Sequence, residues 1–263
     1  MLKVNCNYGN HHVRVKHRKF ISVAITSRCN LKCASCSQLC GVRRKRWDIS
    51  LDQLKINLDV IKNTRKKSNR LVIIYGGEPT LHRQWEEVLQ ILRTYKTLRF
   101  TVCTNGRVRV TPEKDPQIKY RVNTLKQKNK GANIMTWHAP KDLYPRRRSQ
   151  SFWKAAQRRC YLWKRCGVCI YDDRAYICTV AAAMDFALGK PYGWKVNGEN
   201  TFHKTDEQIN QQGNIFCQRC QWCLCQKHQR GQHPTIISKT NFDIMKALNL
   251  KCKKIKRGIV AVK

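Results

Sequence analysis

Cys29-Asn30-Leu31-Lys32-Cys33-Ala34-Ser35-Cys36 sets three thiols on one short loop at the spacing C-x3-C-x2-C. Three thiolates can hold three irons of a cubane and leave the fourth iron without a protein ligand. An open iron can be chelated by a small molecule, whereas a site closed by four cysteines only stores or passes an electron. Zinc is the alternative, with Cys40 as a fourth thiolate, although zinc sites more often pair two short C-x2-C arms.

The stretches around the loop alternate in character. Phe20-Ile21-Ser22-Val23-Ala24-Ile25-Thr26 is β-branched and apolar and ends just before Cys29. It reads as a strand that delivers the cysteine loop. Leu71-Val72-Ile73-Ile74-Tyr75 reads as a second strand, followed by Gly76-Gly77-Glu78-Pro79. Arg99-Phe100-Thr101-Val102-Cys103 reads as a third, followed by Thr104-Asn105-Gly106. Helical patterns run from Leu51 to Ile61 and from Trp85 to Leu92. Strand, loop and helix in repeating order predict an α/β fold with a parallel sheet and function at the strands' C-terminal ends.

On these motifs the chain resembles the radical S-adenosylmethionine (SAM) superfamily over roughly residues 18 to 140. In that family the C-x3-C-x2-C loop follows the first barrel strand, Gly-Gly-Glu-Pro the second, and Thr-Asn-Gly often the third. The resemblance implies a partial (β/α)6 barrel, open on one side. It implies a 4Fe–4S cluster on Cys29, Cys33 and Cys36, and SAM bound through the Gly76, Gly77, Glu78 and Pro79 loop, which the family uses for the amino group of the methionine part. Glycines there let backbone come close to a ligand, and main-chain carbonyls or the Glu78 carboxylate can accept from an ammonium group. Asn105 can cap a helix and Gly106 can relax a tight turn. A fourth strand is expected at Ala132-Asn133-Ile134-Met135-Thr136-Trp137, with Thr136 and His138 near its end as contacts to the carboxylate or ribose of SAM. A full core needs six strands, and only four are read before Cys160, so the barrel is expected to be abbreviated.

A second cysteine field follows: Cys160, Cys166, Cys169 and Cys178, then Cys217, Cys220, Cys223 and Cys225. Cys160 to Cys178 resembles the opening of a SPASM or Twitch auxiliary-cluster domain, in which a cysteine lies five residues beyond a hairpin glycine. Asp173 takes the glycine place, which a tight turn accepts. The later cysteines resemble the downstream ligands, although their spacing departs from the full SPASM pattern. An auxiliary 4Fe–4S cluster is the reading preferred here. Zinc is the alternative, since Cys166-x2-Cys169 with Cys217-x2-Cys220 is a two-armed spacing that tetrahedral zinc accepts. Structural disulfides fit less well, because no secretory segment is read and the chain is expected to be cytoplasmic.

Composition bears on the partner. Lysine and arginine number 53 against 16 acidic residues, a formal charge of +37 on 263 residues. The cations cluster at Arg43-Arg44-Lys45-Arg46, Arg65-Lys66-Lys67, Arg146-Arg147-Arg148, Arg158-Arg159 and Lys251 to Arg257, with Trp47, Trp153, Tyr161, Trp163, Trp194 and Trp222 among them. Cations interleaved with aromatics suit a polyanion whose bases stack, so nucleic acid is the expected partner. A merely solubilising surface mixes both signs more evenly. No basic amphipathic helix suits a membrane surface, and no apolar run approaches the length of a transmembrane span.

Four regions follow: a basic segment at 1–17, the radical SAM core at 18–150, the cysteine-rich region at 151–235, and a helix with a basic tail at 236–263. The helix is placed at Asn241 to Leu250, and the tail is expected to lack fixed structure. The implied reaction is one-electron cleavage of SAM to methionine and a 5′-deoxyadenosyl radical, which takes hydrogen from a DNA or RNA base or nucleotide. The electron is expected from a one-electron reductase or a flavodoxin-like donor. A peptide maturase is the alternative enzyme, because SPASM and Twitch domains are common among those. A zinc-bearing nucleic-acid-binding module is the non-catalytic alternative, and it leaves Gly76 to Pro79 behind a strand without a reason.

Overall fold

The computed structural model describes residues 20–31, 38, 40, 46–64, 71–108, 115–122, 168–188, 192–217, 252–255 and 259–262. Three expected strands form: β1 (Phe20–Thr26), β2 (Leu71–Gly76) and β3 (Arg99–Thr104). Helices α1 (Leu51–Thr64) and α2 (Trp85–Thr94) follow β1 and β2. Ser50 starts α1, its hydroxyl accepting from Gln53 N at 3.1 Å and its carbonyl from Leu54 N at 3.0 Å. Ser at this position satisfies donors that the first turn leaves open. Leu54, Leu58 and Ile61 of α1 and Val88, Leu89 and Leu92 of α2 join the strands in one continuous core.

A seven-stranded sheet runs β4-β3-β2-β1-β5-β6-β7. The added strands are β4 (Ile118–Val122), β5 (Cys169–Tyr171), β6 (Arg174–Tyr176) and β7 (Trp194–Lys195). Every pairing from β4 across to β5 is parallel, and only β5–β6 and β6–β7 are antiparallel. β1 is therefore internal, paired with β2 on one side and β5 on the other. The β5–β6 hairpin is thus continuous with the sheet that carries the cysteine loop. Helices α3 (Thr179–Leu188) and α4 (Asp206–Cys217) follow it.

Strand β4 was not among the expected strands. Its signal is the alternation Ile118, Tyr120, Val122 against Lys119 and Arg121, which the high charge obscures. Gln117 sets it in place, its side-chain amide donating to the carbonyls of Leu92 and Tyr95 at the end of α2, at 3.0 and 2.7 Å. The strand expected at 132–137 and the helix expected at 241–250 lie outside the described residues. The basic tail, expected to lack fixed structure, instead pairs β8 (Cys252–Ile255) with β9 (Ile259–Val262) as a separate antiparallel sheet. β-branched Ile255, Ile259, Val260 and Val262 favour strand pairing despite the charge.

In-register neighbours on parallel strands share a face. One face carries Ile21, Val23, Ile25, Val72, Ile74, Phe100 and Val102. The other carries Ser22, Ala24, Thr26, Tyr75, Thr101, Cys103, Cys169 and Tyr171. Ala24 lies between Tyr75 and Tyr171 in register. Its small side chain lets the Tyr75 hydroxyl cross β1 and reach the Cys169 thiol. Trp47 stacks on Tyr171 at 4.5 Å, and Phe186 of α3 packs on both rings.

The β5–β6 turn is Asp172-Asp173, and the residue in the left-handed region is Asp172, at φ 54°, rather than Asp173. Burial first, then the neighbouring Asp173 charge, raise the Asp172 pKa. A raised folded-state value means stability is present below the unfolded pKa and lost as pH rises through the folded one. Asp172→Gly should therefore raise the midpoint of thermal unfolding, by relief of about 1 kcal/mol of backbone strain. Asp172→Asn, which removes only the charge, should stabilise more at neutral pH than at mildly acid pH. Thermal melts of the three proteins at both pH values check this, and an unchanged melt at neutral pH would refute it.

Candidate active site at the strand ends

Because β1, β2 and β3 run parallel, their three following loops leave one edge of the sheet. The cysteine loop is closed at its base by the returning segment at Trp47 to Ile49. Ser27 N donates to Trp47 O at 2.8 Å, Trp47 N to Ser27 Oγ at 2.7 Å, and Ile49 N to Ile25 O at 2.9 Å. Asp48 accepts from Thr26 Oγ1 and from Arg28 Nε, each at 2.6 Å. The base of the loop is thus tied by backbone pairing and by a largely buried ion pair. Asp48 was not singled out by its sequence, and its signal is only the pairing of Arg28 with an acid across the loop.

The Gly76-Gly77 pair lies against this base. Gly77 N donates to Thr26 O at 2.8 Å and Glu78 N to Arg28 O at 2.7 Å. A Cβ at Gly76 would stand 2.2 Å from Thr26 O, and one at Gly77 would stand 2.1 Å from Arg28 O. Gly76 also has φ 153°. The expectation was close approach of backbone to a ligand. The close approach found is to the backbone that carries Cys29.

Glu78 has no exposed surface. Its Oε1 accepts from Thr104 Oγ1 at 2.7 Å and Thr80 Oγ1 at 2.9 Å, and its Oε2 from Asn105 N at 2.6 Å. These bonds join the loop after β2 to the loop after β3. The carboxylate is thus taken up by the protein's own donors, and main-chain carbonyls are the other acceptors considered at this loop. Pro79 follows in a short 3-10 turn at Pro79–Leu81. His82 clamps this turn, its Nδ1 accepting from Gln84 N at 3.1 Å while its Nε2 donates to Ile49 O at 3.0 Å.

Asn105 is buried and starts no helix among the described residues. Its Oδ1 accepts from Arg107 N at 2.9 Å, and its Nδ2 donates to Asn30 Oδ1 at 2.8 Å and toward Cys29 Sγ at 3.8 Å. Gly106 takes φ 70°, the tight-turn role expected of it. Leu31 N also donates to Cys29 Sγ, at 3.4 Å. Cys29 thus stands half-buried among N–H donors, an environment that favours a thiolate ligand.

Cys33, Cys36, Thr136, His138, Cys160, Cys166, Cys220, Cys223 and Cys225 lie outside the described residues. Cys217 ends α4. Cys169 is fully buried in the sheet, hydrogen-bonded with Tyr75. Burial first, then Cys169, push the Tyr75 pKa well above its ordinary value. Cys178 is half-buried at the start of α3, its Sγ accepting from Ala181 N at 3.4 Å and its carbonyl from Ala182 N at 3.2 Å. Cys169 and Cys178 therefore occupy different surroundings, one inside the core and one at a helix N-terminus. Among the described residues no three His, Cys, Asp or Glu side chains gather as a metal site.

Residues 23–143 match the sequence model of the radical SAM superfamily. That stretch holds all three strand-end motifs. The radical SAM match supports SAM-dependent radical chemistry by an enzyme of that type, with a 4Fe–4S cluster and SAM as the cofactors the family implies. No curated protein matches the chain. Two solved structures of BtrN show low similarity. One, in complex with AdoMet and 2-DOIA, has a TM-score of 0.47 and 13% identity, covering 79% of this chain and 91% of that one. The other, selenomethionine BtrN in an open conformation, has a TM-score of 0.45 and 12% identity, covering 81% of this chain and 92% of that one. No helix among the described residues is long and apolar enough to cross a membrane.

Glu78→Gln keeps the side chain's shape but loses the charge and offers N–H where the protein already donates. Hydrogen bonds to a charged group contribute about 1.5–3 kcal/mol. The variant should unfold at lower temperature by a corresponding amount and retain less iron after anaerobic reconstitution. A variant with the wild-type melt would show that the carboxylate is not the junction of these loops.

Proposed function

We propose that this chain holds a 4Fe–4S cluster through Cys29, Cys33 and Cys36 and cleaves SAM reductively. The radical produced would be directed at a base or nucleotide of DNA or RNA. The observation that carries the reading is the convergence of the three motif loops on one sheet edge, with the Cys29 thiol fixed among N–H donors. That donor set fits a thiolate ligand of an iron–sulfur cluster. When bound, such a cluster supplies the electron that breaks a carbon–sulfur bond of SAM. The protein's part is to hold and orient: Gly76 and Gly77 seat the second loop on the first, Glu78 and Asn105 fix the third, and main-chain groups at this edge are left to meet the methionine part of SAM.

The nucleic-acid substrate rests on charge. The formal charge is +37. Arg46, Arg83 and Arg107 are exposed on the loops that leave the sheet edge, and Lys119 and Arg121 are exposed on β4. Among the described residues Arg83 pairs with Asp48, at 3.7 Å, which already binds Arg28. Exposed cations around the site would attract phosphates. We assign the later cysteines, Cys178 with Cys160, Cys166, Cys217, Cys220, Cys223 and Cys225, to an auxiliary cluster or a zinc site in a region spanning 151–235, with Cys169, buried in the sheet against Tyr75, as a spare, and the electron to a one-electron reductase or flavodoxin-like donor. Peptide maturation is the second reading. It draws on the β5–β6 hairpin with Cys178 beyond it, the SPASM-like feature common among such enzymes.

Anaerobically reconstituted protein should carry iron and sulfide and convert SAM to 5′-deoxyadenosine under reduction. Replacing Cys29, Cys33 and Cys36 with alanine should remove one cubane and abolish that product. Persistence of 5′-deoxyadenosine formation in the triple variant would defeat the reading.

If about six phosphates are neutralised, affinity for DNA or RNA should fall by roughly 10³ or more between 50 and 200 mM salt. The logarithm of affinity should be linear in the logarithm of salt. Weak binding of every nucleic acid at the lower salt, alongside tight binding of a peptide, would transfer the radical chemistry to the second reading.

A further inference from the structure

Resting on the reading above, we infer that the side-chain amide of Asn105 is a built-in hydrogen-bond donor to the Cys29 thiolate and tunes the reduction potential of the cluster that this thiolate ligates. The orientation of the amide is fixed by its partners. Oδ1 accepts from Arg107 N at 2.9 Å, which leaves Nδ2 as the end that faces the cysteine loop. Nδ2 carries two hydrogens, and two acceptors face it: Asn30 Oδ1 at 2.8 Å and Cys29 Sγ at 3.8 Å. The longer contact is to sulfur, whose radius is larger than oxygen's. The residue cannot swing away, because its backbone N is held by Glu78 Oε2 at 2.6 Å and it is only 2% exposed.

The direction of the effect follows from charge. Reduction adds a negative charge to the cluster and its thiolates. A donor to a ligating sulfur stabilises the reduced form more than the oxidised form and so raises the potential. Asn105 itself is buried, so little water competes for its amide. Leu31 N, at 3.4 Å, acts in the same sense, but it is a main-chain donor within the loop. Asn105 is a side-chain donor brought from another strand, and the acid that holds it is the same Glu78 that orders the second loop.

The test is a redox titration of the anaerobically reconstituted full chain, followed by electron paramagnetic resonance, without substrate. Asn105→Ala should lower the midpoint, with the reduction equilibrium shifted about tenfold, which is about 59 mV for a one-electron couple. Asn105→Asp, nearly isosteric, replaces the donor by a like charge and should lower it further. Asn30→Ala keeps the Asn105 amide and should leave the reduction equilibrium within threefold of wild type. Midpoints of both Asn105 variants equal to wild type at full iron content would overturn the inference.

A measurement on the unmutated protein guards against variants that fail to fold. With asparagine side chains labelled with ¹⁵N, electron–nuclear double resonance of the reduced cluster should show an amide nitrogen coupling that persists in Asn30→Ala. Absence of that coupling in wild type would also overturn it. A wild-type chain that takes up no cluster defeats the functional reading itself, whereas a loaded chain with unaltered potentials defeats this inference alone.

Discussion

A fully buried carboxylate, met by donors from two loops, holds the candidate site together. Moving an ionised carboxylate out of water is costly unless its lone pairs are met by donors. Glu78 meets that demand with Thr80 beside it and with Thr104 and Asn105 from the next strand. The loops after β2 and β3 therefore take one relative arrangement, because any other leaves a buried charge or buried donors unpaired. Arg28 and Asp48 do comparable work at the base of the cysteine loop, at the margin of the core.

Steric exclusion complements that electrostatic tie. Gly76 and Gly77 bring the second loop within hydrogen-bonding distance of Thr26 and Arg28, a separation that a side chain would prevent. The loop after β2 is thereby docked directly on the loop after β1, and Glu78 docks the loop after β3 on both. A cofactor held there would meet the loops after β2 and β3 already docked on the base of the first. The cysteine loop is anchored at its two ends by the pairing of Ser27 with Trp47.

The central position of β1 has a second consequence. The strand that delivers Cys29 is flanked by β2, which delivers Glu78, and by β5, which starts the hairpin leading to Cys178. Tyr75 reaches over Ala24 to Cys169 and links the two flanking strands across β1. The sites proposed for the N-terminal and later cysteines are therefore connected through one sheet, and a change in packing at Ala24 would be felt by both.

Periodicity and motif order determined the strands β1 to β3, the helices between them and the edge at which chemistry is placed. These signals are local: β-branched runs, helical spacing and glycines at strand ends can be read one segment at a time. The C-x3-C-x2-C spacing is likewise a property of residue order and can be read without any tertiary information. What the glycines approach, and whether Glu78 faces a ligand or the protein, depended on segments distant in sequence. Residues 78 and 104–105 meet only because β2 and β3 are paired. Strand β4 and the tail hairpin were hidden for the same reason, since their charged positions look like solvated chain until a neighbouring strand supplies the hydrogen bonds. The separation of Cys169 from Cys178 was also a tertiary outcome. Nine residues apart in a cysteine-rich stretch they look equivalent, but pairing of β5 with β1 buries one thiol in the core and leaves the other at the start of a helix.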